Sequence, residues 1–238
     1  MEKARTARQR AREEITAEIL GAARIRLATT GPGALSLRAV ARDVGMVSSA
    51  VYRYFPSRDE LLTALIVEAY DDLGAAAESA DDTVTDRDDA RARWMTTCRA
   101  VRSWAVTRPH EYALLFGSPV NDYAAPRDTV APASRVILRL LEIVEATRRS
   151  GAAGPPPPDS VSPGFGDSVQ DALASVEELT GVEADLPVEL VGRTLLAWSA
   201  IFGVISFELW GHFLGSVNDP ETYFEGVAAR LWHDLGGV

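Results

Sequence analysis

Leu35-Ser-Leu-Arg-Ala-Val-Ala-Arg-Asp-Val-Gly45-Met-Val-Ser-Ser-Ala-Val-Tyr-Arg-Tyr-Phe55-Pro-Ser-Arg-Asp-Glu-Leu-Leu62 reads as two short helices bent around a glycine, with a third helix opening at the end. Leu37, Val40, Ala41 and Val44 recur at helical intervals, so one face of the first helix is apolar, and Ser36 stands where an N-cap accepts an orphan amide. Gly45 can take the left-handed conformation that stops a helix. Ser48 is then the expected cap of a second helix, which runs only to about Tyr54 because Phe55-Pro56 restricts the backbone. Ser57 followed by Glu60 has the spacing of a capping box and starts the third helix.

A helix as short as the middle one survives only by packing. The spacing therefore assigns Val51 and Phe55 to the core and leaves Ser48, Ser49, Ala50, Tyr52, Arg53 and Tyr54 outside. Small residues at its start let the backbone approach base edges, alanine can meet a thymine methyl, and serine can donate to or accept from several bases. Tyr52, Tyr54 and Arg58 carry hydroxyls or charge at a reach suited to phosphate oxygens. An ordinary helical hairpin is the plain alternative. The coincidence of helix length, glycine turn and polar outer face favours a DNA-reading helix-turn-helix.

Residues 12–62 resemble the N-terminal domain of TetR/AcrR-type transcriptional regulators. The likeness rests on Thr30-Gly31, on Ser36 to Met46 as S/T-x-R-x-[IV]-A-x-x-x-G-[VM], and on Val51 to Leu61 as [LV]-Y-x-[HY]-F-x-[SN]-[KR]-x-x-L. The resemblance implies that Ser36, Arg38, Tyr52, Tyr54 and Arg58 touch phosphates and that Ser48, Ser49, Ala50 and Arg53 face bases.

Charge divides the chain in the same place. Residues 1–60 hold eleven Lys or Arg and seven acids, leaving 13 basic and 27 acidic groups in the remainder of a chain of net charge −10. A positive module on an acidic body turns the module toward a polyanion. The run from Lys3 to Arg12 extends that positive surface as a tail that contacts the DNA backbone or minor groove, against the reading of a solvated tail.

With 238 residues and 47% hydrophobic content, the chain is expected to be all-α. The expected parts are a three-helix DNA-binding domain over 1–60 and a larger ligand-sensing and dimerisation domain over 61–238. The charged N-terminal stretch and the shortness of the uncharged run Thr194–Phe207 point to a cytoplasmic protein that does not engage a membrane. One cysteine excludes an intrachain disulfide framework, and Cys98 reads as a small core hydrophobe.

Leu61, Leu62, Leu65, Ile66, Ala69, Tyr70 and Leu73 form the stripe of a helix shared by both domains, and the acidic stretch Asp81–Asp89 reads as a solvated loop after it. A helix through Trp94, Cys98, Val101 and Ala105 ends at Pro109. Glu111–Phe116 is a short apolar helix, and Ala133–Arg149 is amphipathic. The proline-rich stretch 151–167 is expected as a linker or flap in which Phe165 could fold over a pocket.

Leu195 to Phe213 is apolar around nearly its whole circumference, so it must be buried on several sides. Leu196, Ala200, Gly203 and Phe207 form a stripe small enough for another helix to approach. Asp219-Pro220 opens a last helix through Tyr223, Phe224, Val227, Leu231 and Trp232. The expectation is a homodimer through about 188–214 and 220–235, reading a palindromic operator with two heads.

The body also resembles the regulatory domain of a chiefly actinobacterial branch of the same family, on Arg108 to Pro119 and on Trp198-x-x-x-Phe202-Gly-x-x-Ser-Phe-Glu-Leu209. A related branch has histidine where Phe202 stands, so any role of that histidine is absent. In such a body Trp94, Met95, Cys98, Tyr112, Phe116, Trp198 and Phe202 are the candidates to line a mostly apolar effector pocket, although each could equally be plain core.

No cofactor, metal or enzymatic activity is expected. Glu208 and His212 have the spacing of two ligands on one helix but lack a third, and no phosphate-binding glycine loop or nucleophile elbow occurs. The reading is a ligand-responsive transcriptional regulator, most simply a repressor. The competing reading is a ligand-independent or architectural DNA-binding protein whose body serves only assembly.

Overall fold

The computed structural model describes residues 7–151, 165, 167–180 and 186–237. Among these no strand occurs, and the α-helices are α1 (Ala7–Thr30), α2 (Leu37–Asp43), α3 (Ser48–Val51), α4 (Arg58–Asp82), α5 (Ala90–Thr107), α6 (Pro109–Phe116), α7 (Val130–Ser150), α8 (Gln170–Thr180), α9 (Val188–Leu209) and α10 (Pro220–Asp234). The chain divides into two compact units, residues 1–70 with 108–130 and residues 71–107 with 131–238. Helix α4 is continuous through the boundary at Tyr70.

The first unit closes around Ile19, Leu20, Ala23 and Leu27 of α1, Leu37, Val40 and Ala41 of α2, Val51, Phe55, and Leu61, Leu62, Leu65 and Ile66 of α4. Arg24 of α1 pairs with Glu68 of α4 at 2.5 Å, and Arg26 makes a two-pronged bond to Asp43 of α2. Helix α6 belongs to this unit. Its Leu114 completes the core, and in the loop beyond it Tyr123 shares a hydrogen bond of 3.0 Å with Thr63.

In the second unit α5, α9 and α10 pack on one another, and α8, which the sequence reading left unassigned, packs on α9. The Trp94 ring lies 5.8 Å from that of Trp232, and its indole N–H donates to the Ala228 carbonyl at 3.0 Å. Gly74 has a packing reason in mid-helix: a Cβ there would meet the Arg135 stem at 2.7 Å. Glycine thus lets α7 cross close to α4, and the Arg135 guanidinium reaches Asp71 at 2.9 Å and Glu78 at 2.6 Å.

Three expectations are corrected here. The acidic stretch does not begin a solvated loop at Asp81, because α4 runs on to Asp82 and Asp81 is fully buried. Its carboxylate accepts from Arg93 at 2.8 and 3.0 Å, from Arg87 at 2.7 Å and from Arg139 at 3.2 Å. Burial alone would raise the Asp81 pKa, but the hydrogen bonds from Arg93 and Arg87 outweigh it and hold the carboxyl below its ordinary range.

Glu208 and His212 do not share a helix. Helix α9 ends at Leu209, with Gly211 at φ 74° in the turn that follows. Glu208 is spent in a two-pronged pair with Arg102 at 2.8 and 2.7 Å, and His212 lies against the Phe207 ring. The apolar helix is also longer than the uncharged run suggested. Val188–Leu209 is long and apolar enough by composition to cross a bilayer, yet 44% of its apolar window is already buried inside the protein.

Of the proline-rich stretch, 152–164 and 166 lie outside the described residues. Phe165 lays its ring on α9 at Gly192, where a Cβ would come within 2.8 Å of it.

Candidate nucleic-acid interface

The turn between α2 and α3 is built by the backbone. Gly45 takes φ 66°, its N–H donates to the Arg42 carbonyl at 3.3 Å, and the Met46 N–H donates to Ala41 at 2.9 Å. These two bonds close the end of α2 in a Schellman motif, with glycine at the one position that needs the left-handed conformation. Val47, not Ser48, is the N-cap of α3. Ser48 and Ser49 are therefore the first two helical residues.

Helix α3 is a single turn, shorter than expected, continued by turn bonds from Tyr52 to Ser48 (3.1 Å), Arg53 to Ala50 (3.2 Å) and Tyr54 to Val51 (2.9 Å). Val51 and Phe55 are buried as expected. Ser49, Tyr52 and Arg53 are exposed and Ser48 is half-buried. Ala50, which the helical reading left outside, is only 8% exposed. Its methyl is turned away from solvent.

Ser36 caps α2 in an extended conformation without a side-chain cap bond, so its hydroxyl is not committed to the helix, and Arg38 beside it is exposed. Ser57 accepts from the Glu60 N–H at 3.1 Å, which fixes the start of α4. Arg58 stands apart from the other candidates. Its guanidinium donates to the carbonyls of Leu35 (3.2 Å), Pro32 (3.0 Å) and Gly33 (3.5 Å). In this structure it holds the loop between α1 and α2, a role that its position in the motif does not signal.

The second half of the basic run, expected as a tail, is helical. Helix α1 starts early enough to include Arg8, Arg10 and Arg12, all exposed, while residues 1–6 of the basic run lie outside the described residues. The Arg12 guanidinium stacks over the Tyr54 ring at 5.3 Å.

The effector candidates fall in both units. Trp94, Met95 and Cys98 on α5 and Trp198 and Phe202 on α9 belong to the second unit, while Tyr112 and Phe116 on α6 belong to the first. Trp198 and Phe202 are in ring contact at 5.4 Å, and Tyr112 and Phe116 at 5.0 Å with Tyr70 beyond. Cys98 is buried, and burial pushes its thiol pKa up, the state of an inert core sulfur. Among the described residues no group of three or more His, Cys, Asp or Glu could hold a metal ion.

Comparison with known proteins agrees with this geometry. Residues 19–65 match the bacterial regulatory proteins of the tetR family, and residues 94–231 match the tetracyclin repressor-like C-terminal domain. HTH-type transcriptional regulators of Mycobacterium bovis and Mycobacterium tuberculosis are 41% identical over 229 residues, which cover 94% of this chain and 93% of each relative. The crystal structure of the regulatory protein SCO4313 superposes with a TM-score of 0.77 at 31% identity, covering 96% of this chain and 100% of that one. A Rhodococcus protein of unknown function shares the fold at 20% identity, with a TM-score of 0.69 and 99% of both chains covered. The chain belongs to the TetR family of bacterial transcriptional regulators and is a DNA-binding regulator, not an enzyme.

Proposed function

We propose that this protein is a ligand-responsive repressor that binds a palindromic operator as a dimer and releases it when a small, mostly apolar molecule enters the body. The observation that carries the reading is the single uninterrupted helix α4. It begins with the Ser57 cap and the Arg58 clamp of the DNA-reading unit and ends at the buried Asp81 cluster of the other. A shift of the body helices that hold Asp81 would be carried along α4. Couplings of about 1–3 kcal/mol between two sites are ordinary.

The dimer rests on the surface of the last two helices and the turn between them. Leu196, Phe207, Trp210, Leu214 and Tyr223 are large apolar side chains left exposed, and Gly203 and Gly226 face open space. That is a stripe where a second helix can come close. Two heads about 34–36 Å apart would fit successive turns of one DNA face. The fold can accommodate a small molecule: RolR, 15% identical with a TM-score of 0.52, has been solved in complex with resorcinol.

In this reading Ser36, Arg38, Tyr52 and Tyr54 position the protein on phosphates and Ser48, Ser49 and Arg53 face bases. The test is selection of bound duplexes from a random pool, followed by a screen for compounds that both raise the melting temperature and release the selected DNA. Enrichment of a palindrome and release by such a compound are expected. Selection of a palindrome with no releasing compound would favour the assembly-only reading, and no enrichment would sink both.

A further inference from the structure

The basic end of α1 follows from its own core stripe. Ile19 is fully buried and Ile15 packs against the same cluster, and positions 12 and 8 continue that face at intervals of three and four residues. Arg8 and Arg12 therefore lie on the side of α1 that faces the reading unit, past the point where the apolar core ends. Glu13 and Glu14 fall on other faces.

The result is a groove of about 470 Å³ lined by Arg8, Gln9, Arg12, Ile15, Arg53 and Tyr54, with no carboxylate in its wall. None of Arg8, Arg12 and Arg53 is paired with a carboxylate among the described residues, whereas Arg24 and Arg26 on the same helix both are. Three guanidiniums without a carboxylate partner around one concavity repel one another unless a polyanion enters it. The groove is continuous with the exposed end of the α3 turn at Arg53, so the anion that reaches it is the backbone of the duplex already seated on α3.

We infer that Arg8 and Arg12 form, with Arg53 and Tyr54, a phosphate clamp that grips the DNA backbone outside the base pairs read by α3. The inference rests on the DNA-binding reading above and narrows the expected contact of the basic run to two helical arginines in one groove with Arg53 and Tyr54. Arg12 has two tasks: it meets a phosphate, and its flat face fixes the Tyr54 ring so that the phenol is held ready for a neighbouring one. Because the contacts go to phosphates, the clamp adds affinity without choosing sequence.

The experiment is fluorescence anisotropy of the full-length protein with its selected duplex and with a random 30-base-pair duplex, across a series of salt concentrations. Each phosphate contact contributes about 0.9 to the slope of log affinity against log salt, which at 0.15 M is about fivefold in affinity. The variant carrying both Arg8→Ala and Arg12→Ala should lose about 1.8 of slope and about 30-fold in affinity per engaged head, equally on both duplexes. Arg12→Lys should keep the wild-type slope while losing a few-fold in affinity, because the charge stays and the stack goes.

Both arginines are exposed, so the variants should melt with the wild type. Wild-type slope and affinity in the double variant would overturn the clamp, as would a loss confined to the selected duplex, which would mean base reading. A wild-type protein that binds neither duplex would remove the DNA-binding reading itself, an outcome distinct from either.

Discussion

Asp81→Ala should rank with the most destabilising single changes in the second unit. The carboxylate is fully buried and so, nearly, is Arg93, whose side chain is 6% exposed, whereas Arg87 and Arg139 can swing their charges to solvent. Truncating Asp81 therefore leaves one guanidinium buried without a counter-charge, which costs about 3–5 kcal/mol. For a chain of this length that corresponds to a melting temperature lower by about 6–20 °C.

Urea unfolding of wild type, Asp81→Ala and the double variant Asp81→Leu with Arg93→Met separates charge burial from packing. The double variant should regain most of the loss, because replacing a buried ion pair by apolar groups of similar volume is often neutral. The pH dependence supplies an independent check. The folded-state pKa of Asp81 is depressed, so its contribution is fully present above the unfolded carboxyl value of about 3.9 and is lost as pH falls from there through the folded pKa. Wild type should lose stability over that acidic window more steeply than Asp81→Asn. A loss under about 1 kcal/mol in Asp81→Ala, or a double variant no more stable than the single, would refute the reasoning.

Arg58→Ala should cost about 2 kcal/mol in the absence of DNA, since it removes charge-assisted bonds to three carbonyls from a half-exposed site. Unchanged melting together with weaker DNA binding would instead return Arg58 to a phosphate contact. If the proposed dimer forms through this face, Phe207→Glu should shift it to monomer in sedimentation velocity. Losing about 2 kcal/mol of apolar burial from each copy weakens a dimer by about a thousandfold, and an unaltered dimer would place the interface elsewhere. Cys98 should react with a disulfide reagent more than ~1000-fold slower in the native protein than in urea. Fast native labelling would contradict its burial.

What could be read from the sequence was what the chain punctuates locally. Gly45, Phe55-Pro56, the Ser57 cap and Asp219-Pro220 each act on the residues beside them, and helix ends lie near all four. The capping side chain of Asp219 accepts from the Thr222 N–H at 3.0 Å. Asp81 was illegible because the run of acids after it looks solvated, while two of its three arginine partners stand 12 and 58 residues further along. The loop bonds of Arg58 were illegible as well, since nothing near it in the sequence shows three carbonyls converging on it. The early stop of α9 did have a signal in Gly211, which the apolar composition around it obscured. The outward reading of Ala50 failed because a single helical turn has too few residues to define a buried face by periodicity.

The Arg58 clamp bears on how the reading head can move. Hydrogen bonds weaken within a few tenths of an ångström of stretching and with modest changes of angle. A slide of α4 beyond what the arginine stem can follow must therefore either break its bonds to Pro32, Gly33 and Leu35 or drag that loop, and with it the start of α2, in the same direction. Dragging is cheaper than leaving three carbonyls and a guanidinium to find new partners. The loop, α2 and the first turn of α4 then travel as a single rigid piece. Release from DNA would be a displacement of the whole head, with the shape of its reading surface preserved for the next encounter.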